Sequence, residues 1–139
     1  MNISSDEHPN VLLICVDHWS GLFTRPAGHQ VVMTPTIAQI ARNGVNFSRA
    51  YSACPVCIPA RRTLLTGQTS RSHGDRIFNE YLEMPDPEEV PTLPQTLKQS
   101  GYQAHAVGKL HVYPQRDRIG FDEVILNEEG RHHLADMTD

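Results

Sequence analysis

Cys57-Ile58-Pro59-Ala60-Arg61 is the run whose residue types and spacing carry the most chemistry. Proline fixes φ and has no amide hydrogen, so Pro59 can open a helix without losing a hydrogen bond. A helix over Pro59–Leu65 leaves Cys57 just ahead of its N-terminus. Free amides and the macrodipole favour negative charge there, so an anionic substrate would be attracted. Arg61 falls about one turn into that helix and can reach back to the same place. Arg62, the next residue, is expected to face solvent, as most arginines do, with a phosphate-like contact as the alternative.

Three further groups sit where chemistry is expected. Asp17 follows the apolar run Val11-Leu12-Leu13-Ile14-Cys15-Val16, and Lys109 and His111 follow the run that ends at Val107. In open α/β sheets, ligands bind beyond the carboxyl ends of the strands. Residues distant in sequence therefore converge on one rim with Cys57. Taken alone, Asp17 could equally be a turn residue, and a lone His111 is more often structural.

Cys54-Pro55-Val56-Cys57 is also a C-x-x-C, which a thiol redox pair or half of a zinc site would show. A zinc site wants a second ligand pair at matched spacing, and His73, His105, His111, His132 and His133 do not form one. A redox motif of the thioredoxin kind would stand near the start of a small βαβ unit; here strand, helix and strand precede it. His132-His133 reads as exposed and incidental, and Cys15 as a small buried hydrophobe.

The elements that must position these residues can be read from pattern. Val11–Val16 is a continuous apolar run, as in a strand covered on both faces of a parallel sheet. Thr34-Pro35 reads as an N-cap and a first-turn proline; Ile37, Ile40 and Ala41 follow at helical spacing, and Gly44 stops the helix. Val45–Tyr51 is a second strand and Ser52–Ile58 a loop. Gly67–Pro91 is polar and aperiodic. Thr92 then caps a helix containing Leu93, Leu97 and Lys98, which Gly101 ends. Strands over Tyr102–Val107 and Phe121–Leu126 follow. Alternating strands and helices predict an α/β layered fold with a mainly parallel sheet and flanking helices. Residues 1–139 form one domain in this reading, and it is incomplete, since Met137-Thr138-Asp139 closes no element.

Bulk properties narrow the function classes. The chain has 139 residues, a net charge of −4 and ten prolines. That is enough for one domain with a core, loop-rich and globular. The mild acidity offers no basic face, so no nucleic-acid partner is expected. The longest apolar run is six residues, against roughly 20 for a membrane span, so no membrane partner is expected either. The polar start lacks the layout of a secretory signal, and three cysteines make an odd count that argues against a disulfide framework. A cytoplasmic protein is the expectation.

The run Cys57-Ile58-Pro59-Ala60-Arg61-Arg62-Thr63-Leu64-Leu65-Thr66-Gly67 resembles the sulfatase signature C-x-P-S-R-x-x-x-L-T-G. Asn10–Asp17 looks like the opening strand of the same family, within the alkaline phosphatase superfamily. Thr34-Pro35-Thr36-Ile37-Ala38 resembles its TPNLD helix start. Gly101-Tyr102 with Val107-Gly108-Lys109-Leu110-His111 resembles its GY…VGKWH segment. The four matches stand in order across nearly the whole chain. The resemblance implies the N-terminal part of an alkaline-phosphatase-like catalytic domain and a sulfuric ester hydrolase of the arylsulfatase kind.

It also implies roles. Cys57 would be oxidised by a maturase to formylglycine, whose hydrate is nucleophile and metal ligand. Asp17 would ligate a divalent metal, calcium in most of the family. Arg61 would hold the formylglycine, Lys109 would contact the sulfate oxygens, and His111 would hydrogen-bond the hydrated aldehyde and is a candidate base. His73 and Asn79 lie where the family lines its substrate pocket; otherwise they are loop residues. A small sulfate ester, aryl, alkyl or sugar, is the implied substrate.

Three positions depart from the pattern. His18 stands where many members have a second acid, which resembles the phosphonate monoester hydrolase branch; imidazole suits manganese or another transition metal better than calcium. A phosphonate monoester or phosphodiester hydrolase using the same formylglycine is therefore the alternative. Ala60 replaces the signature serine while C-x-P-x-R survives, and Leu110 replaces the tryptophan. The family's remaining metal-binding acids, a lysine and a histidine come from later sequence. The 139 residues alone are thus expected to bind metal weakly and to be inactive as a fragment.

Overall fold

A computed structural model describes residues 9–79 and 82–127. They fall into two compact units that divide between Ala50 and Tyr51, and each has its own organisation.

In the first unit, one-turn 3-10 helices at Gly21–Phe23 and Arg25–Ala27 lead to helix α1, Pro35–Asn43. The predicted cap at Thr34 stands at the predicted place, but its side chain does not bond α1. Its hydroxyl instead accepts the Arg25 amide at 2.9 Å, which ties the preceding turn to the start of the helix. Gly44 ends α1 as expected, though with φ −134 rather than in the left-handed region. The expected strands at Val11–Val16 and Val45–Tyr51 do not form, and Leu12 is 84% exposed. A strand covered on both faces needs hydrogen-bonding neighbours. Among the described residues the only sheet is a two-stranded one elsewhere in the sequence.

That sheet belongs to the second unit. Strands β1, His105–Gly108, and β2, Glu123–Leu126, run parallel with His105 opposite Glu123 and Gly108 opposite Leu126. The parallel pairing agrees with the α/β expectation. Three helices precede it: α2, Cys57–Thr66; α3, Ser70–His73; and α4, Leu93–Gln99. Leu65 of α2 packs with Leu110, Val112 and Ile119, and Met84, Phe121, Val124 and Leu126 close around them. Each such side chain contributes about 1.5–3 kcal/mol on burial. This core fixes α2 against the end of β1.

Helix α4 is built as its sequence predicts. Thr92 and Gln95 form a reciprocal capping box, Pro94 sits in the first turn, and Gly101 takes φ 87 just past the end. The Thr92 hydroxyl also donates to the Ile119 carbonyl at 2.6 Å. Gly120 follows there with φ 102, and a Cβ on it would stand 2.4 Å from Gln95 Cγ, so this turn requires glycine. At its other end, α4 is tied to the sheet. Lys98 Nζ lies 2.7 Å from Asp122 Oδ1, and Asp122 Oδ2 accepts the Ala104 amide at 2.8 Å. No helix among the described residues is long and apolar enough to cross a membrane.

Candidate functional site

Helix α2 begins at Cys57 itself, two residues earlier than expected, with Val56 as N-cap and no side-chain cap. The Ala60 amide donates to the Val56 carbonyl at 2.9 Å. Pro59 is therefore the third residue of the helix, where its missing N–H is still one of the four that find no partner inside the helix. Its ring is fully buried and wedges the first turn into the protein. Cys57 is half-buried on that turn, still at the end where amide dipoles favour negative charge.

Arg61 and Lys109 are brought together through the backbone. Arg61 Nη1 donates to the Lys109 carbonyl, which joins α2 to the residues just beyond the carboxyl end of β1. Two residues on, His111 has φ 56 and meets Phe78 edge-on, ring centroids 5.2 Å apart. The stretch after α3 thus approaches the stretch after β1. Glu83 strengthens that approach through a parallel bridge to Tyr113.

His73 ends α3, and its ring faces α2. Nδ1 accepts the Asp75 amide at 3.1 Å, so the neutral ring carries its hydrogen on Nε2. It can donate that hydrogen to Thr63 Oγ1, 3.1 Å away. Burial lowers the His73 pKa, the Arg62 charge lowers it further, and Asp75 and the backbone bond offset part of this. The lowered pKa favours the neutral ring. Asn79 is exposed in the stretch after α3.

Arg62 is not solvent-facing, contrary to expectation. It is 6% exposed and donates through Nη2 to the carbonyls of Leu82, at 3.2 Å, and Glu83. Its Nε lies 3.9 Å from Asp75 Oδ2, and both side chains are buried. Burial pulls its pKa below the ordinary value, and Asp75 pulls it back. Consecutive helical residues point about 100° apart. With Arg61 directed at Lys109, Arg62 faces a different surface, and no periodic pattern in the sequence signals that this surface is packed. Thr63 and Asp75 carried no signal either.

In the first unit, Asp17 and His18 stand side by side, Oδ2 to Nε2 at 4.0 Å, and His18 has φ 58. A carboxylate and an imidazole turned toward each other suit a divalent cation, with the nitrogen favouring a transition metal over calcium. They would supply part of a coordination shell.

The Sulfatase family model matches residues 9–139. The chain belongs to the sulfatase family. It is 34% identical over 127 residues to an arylsulfatase of Clostridium perfringens, covering 91% of this chain and 26% of that protein. A delta 4,5-hexuronate-2-O-sulfatase of Bacteroides thetaiotaomicron is 38% identical over 112 residues, 77% of this chain and 22% of the relative. The human N-acetylgalactosamine-6-sulfatase is 34% identical over 134 residues, 83% of this chain and 24% of the relative. The chain spans about a quarter of the length of these relatives. Membership implies the alkaline-phosphatase-like α/β fold, of which the helices and the parallel β1–β2 pair are a part.

Proposed function

We propose that this chain supplies the nucleophile-bearing part of a sulfuric ester hydrolase that acts on a small aryl or sugar sulfate. The observation that carries the reading is α2. Cys57 stands on its uncapped first turn, and Arg61 is bonded to the carbonyl of Lys109. The names of the relatives, an arylsulfatase and two sugar sulfatases, supply the substrate class.

In this reading Cys57 is the residue that a maturase converts to formylglycine, and the hydrate provides the attacking oxygen. Arg61 orients that group while its link to Lys109 keeps two cations on joined elements. Lys109 offsets charge on the sulfate oxygens, which is worth most where water is excluded. His111 holds a proton of the hydrated group and accepts it when sulfate is expelled. His73, neutral and bonded to Thr63, and Asn79 line the side from which substrate enters. Asp17, with His18 beside it, and Cys57 would hold a divalent metal, which lends Lewis-acid neutralisation of the anionic ester. Calcium fits the family and manganese fits His18.

A second reading rests on His18 alone. An imidazole beside Asp17 favours the phosphonate monoester or phosphodiester hydrolase branch. Measuring kcat/KM of the intact, matured protein on paired aryl sulfate and aryl phosphonate esters separates the two. The first reading expects the sulfate to be preferred, and a preference for the phosphonate would replace it with the second. The 139-residue chain by itself should show no turnover with either ester.

A further inference from the structure

We infer that Arg62, with Asp75, is a positioning residue that clamps the residues after α3 against the nucleophile-bearing helix. The clamp has three attachments from one buried guanidinium. Nη2 holds two successive carbonyls, Leu82 and Glu83, and Nε faces the Asp75 carboxylate. Arginine offers five donors in a rigid fork, so one side chain can hold two carbonyls on Nη2 and face an acid with Nε at a fixed separation.

What the clamp holds is the significant part. Residues 73–79 include His73 and Asn79, and they reach back to the approach to α2: Cys54 Sγ contacts the Arg76 carbonyl at 3.7 Å. Cys54 lies three residues before Cys57. On the far side, Glu83 bridges to Tyr113, two residues beyond His111. One side chain on α2 therefore sets the placement of both stretches that flank the helix start. The neighbouring Thr63–His73 contact repeats the attachment with a neutral pair.

Among the described residues, neither Arg62 Nε nor Asp75 Oδ2 has a hydrogen-bond partner, so the two charges depend on each other. Removing one strands the other in the interior, whereas removing both does not. This separates positioning from stability. The purpose of the clamp rests on the reading of Cys57 as nucleophile, but its existence can be tested without turnover. An unconverted Cys57 would remove the purpose and leave the clamp measurements intact.

The test is hydrogen exchange by mass spectrometry, with the alkylation rate of Cys54 read at peptide level, on wild type, Arg62→Met, Arg62→Lys and the double variant Arg62→Met/Asp75→Asn. In Arg62→Met, exchange in residues 73–79 and 82–84 and alkylation of Cys54 should each rise about tenfold or more through local opening, with β1 and β2 unchanged. The double variant should regain thermal stability over the single one while both rates stay fast, because the carbonyl attachments are still missing. Arg62→Lys keeps the charge and loses the fork; it should fall between and reports the same pattern if the methionine variant does not fold. Protection that returns together with stability in the double variant overturns the inference. So does exchange that rises equally in β1 and β2, or rates in residues 73–84 that stay at the wild-type level.

Discussion

Residues 9–50 and the described residues of 51–127 come from the same kind of sequence, yet they use their apolar side chains in opposite ways. Leu12, Leu13, Ile14 and Val16 are exposed, whereas Leu65, Leu110, Val112 and Ile119 form a core. Both stretches contain a proline-started helix with a threonine at the cap. The difference lies in long-range partners. In the second unit a strand finds another strand and a helix finds the sheet; in the first, the apolar run has no strand beside it among the described residues. Helix signals act locally, within a turn or two, but a buried parallel strand is defined by neighbours that the strand itself does not encode.

This contrast can be broken most directly at two leucines. Leu65→Ala should cost about 2–5 kcal/mol by leaving a cavity in the core. Leu12→Ala should change stability by no more than about 0.5 kcal/mol, as at an exposed site. Urea denaturation of the two variants checks both, and equal losses would mean that the two regions are not organised differently.

Thr92→Ala sharpens the comparison at the level of caps. Loss of the capping box should cost about 0.5–2 kcal/mol, toward the upper end because the bond to the Ile119 carbonyl goes as well. Thermal unfolding of Thr92→Ser, which keeps the hydroxyl, should stay close to wild type.

The smallest effect is electrostatic. The Asp122 pKa is lowered, first by the Lys98 hydrogen bond and then by the Ala104 amide. A carboxylate with a depressed folded pKa stabilises fully above its unfolded value, and the contribution is lost as pH falls through the folded one. Stability should therefore decline from the ordinary carboxylate range downward, and Asp122→Asn should flatten part of that acid limb while leaving the limb near neutrality unchanged. His73 shifts the same way for a different reason, burial. Its contribution is present above the ordinary histidine range and is lost as pH falls below it. His73→Gln should flatten that higher window, and pH-dependent melting curves distinguish the two groups.

Much of the second unit was legible because its signals are short-range. Thr92, Gln95 and Gly101 mark α4 at both ends, and the runs ending at Val107 and Leu126 mark the strands. The start of α2 was displaced by two residues because proline is acceptable anywhere in the first turn, and Val56, an ordinary residue at an N-cap, gives no cue. Of the candidate site, Cys57 and Arg61 could be read from spacing and Lys109 and His111 from their place after a strand. Arg62 could not be assigned to the interior, because its partners Asp75, Leu82 and Glu83 lie in an aperiodic stretch whose folding only the tertiary structure defines. The two expected strands of the first unit mark the opposite case, an apolar pattern without its neighbours.

The central claim is that Cys57, on the first turn of α2, is the residue that becomes the nucleophile. Peptide mass spectrometry across Cys57, after co-expression with a formylglycine-generating maturase, tests it most directly. Conversion of the thiol to the aldehyde replaces –CH2–SH by –CHO, so sulfur and two hydrogens leave and one oxygen is gained, and the peptide mass should fall by about 18 Da once hydration is excluded. A Cys57 that stays a thiol under those conditions would contradict the account.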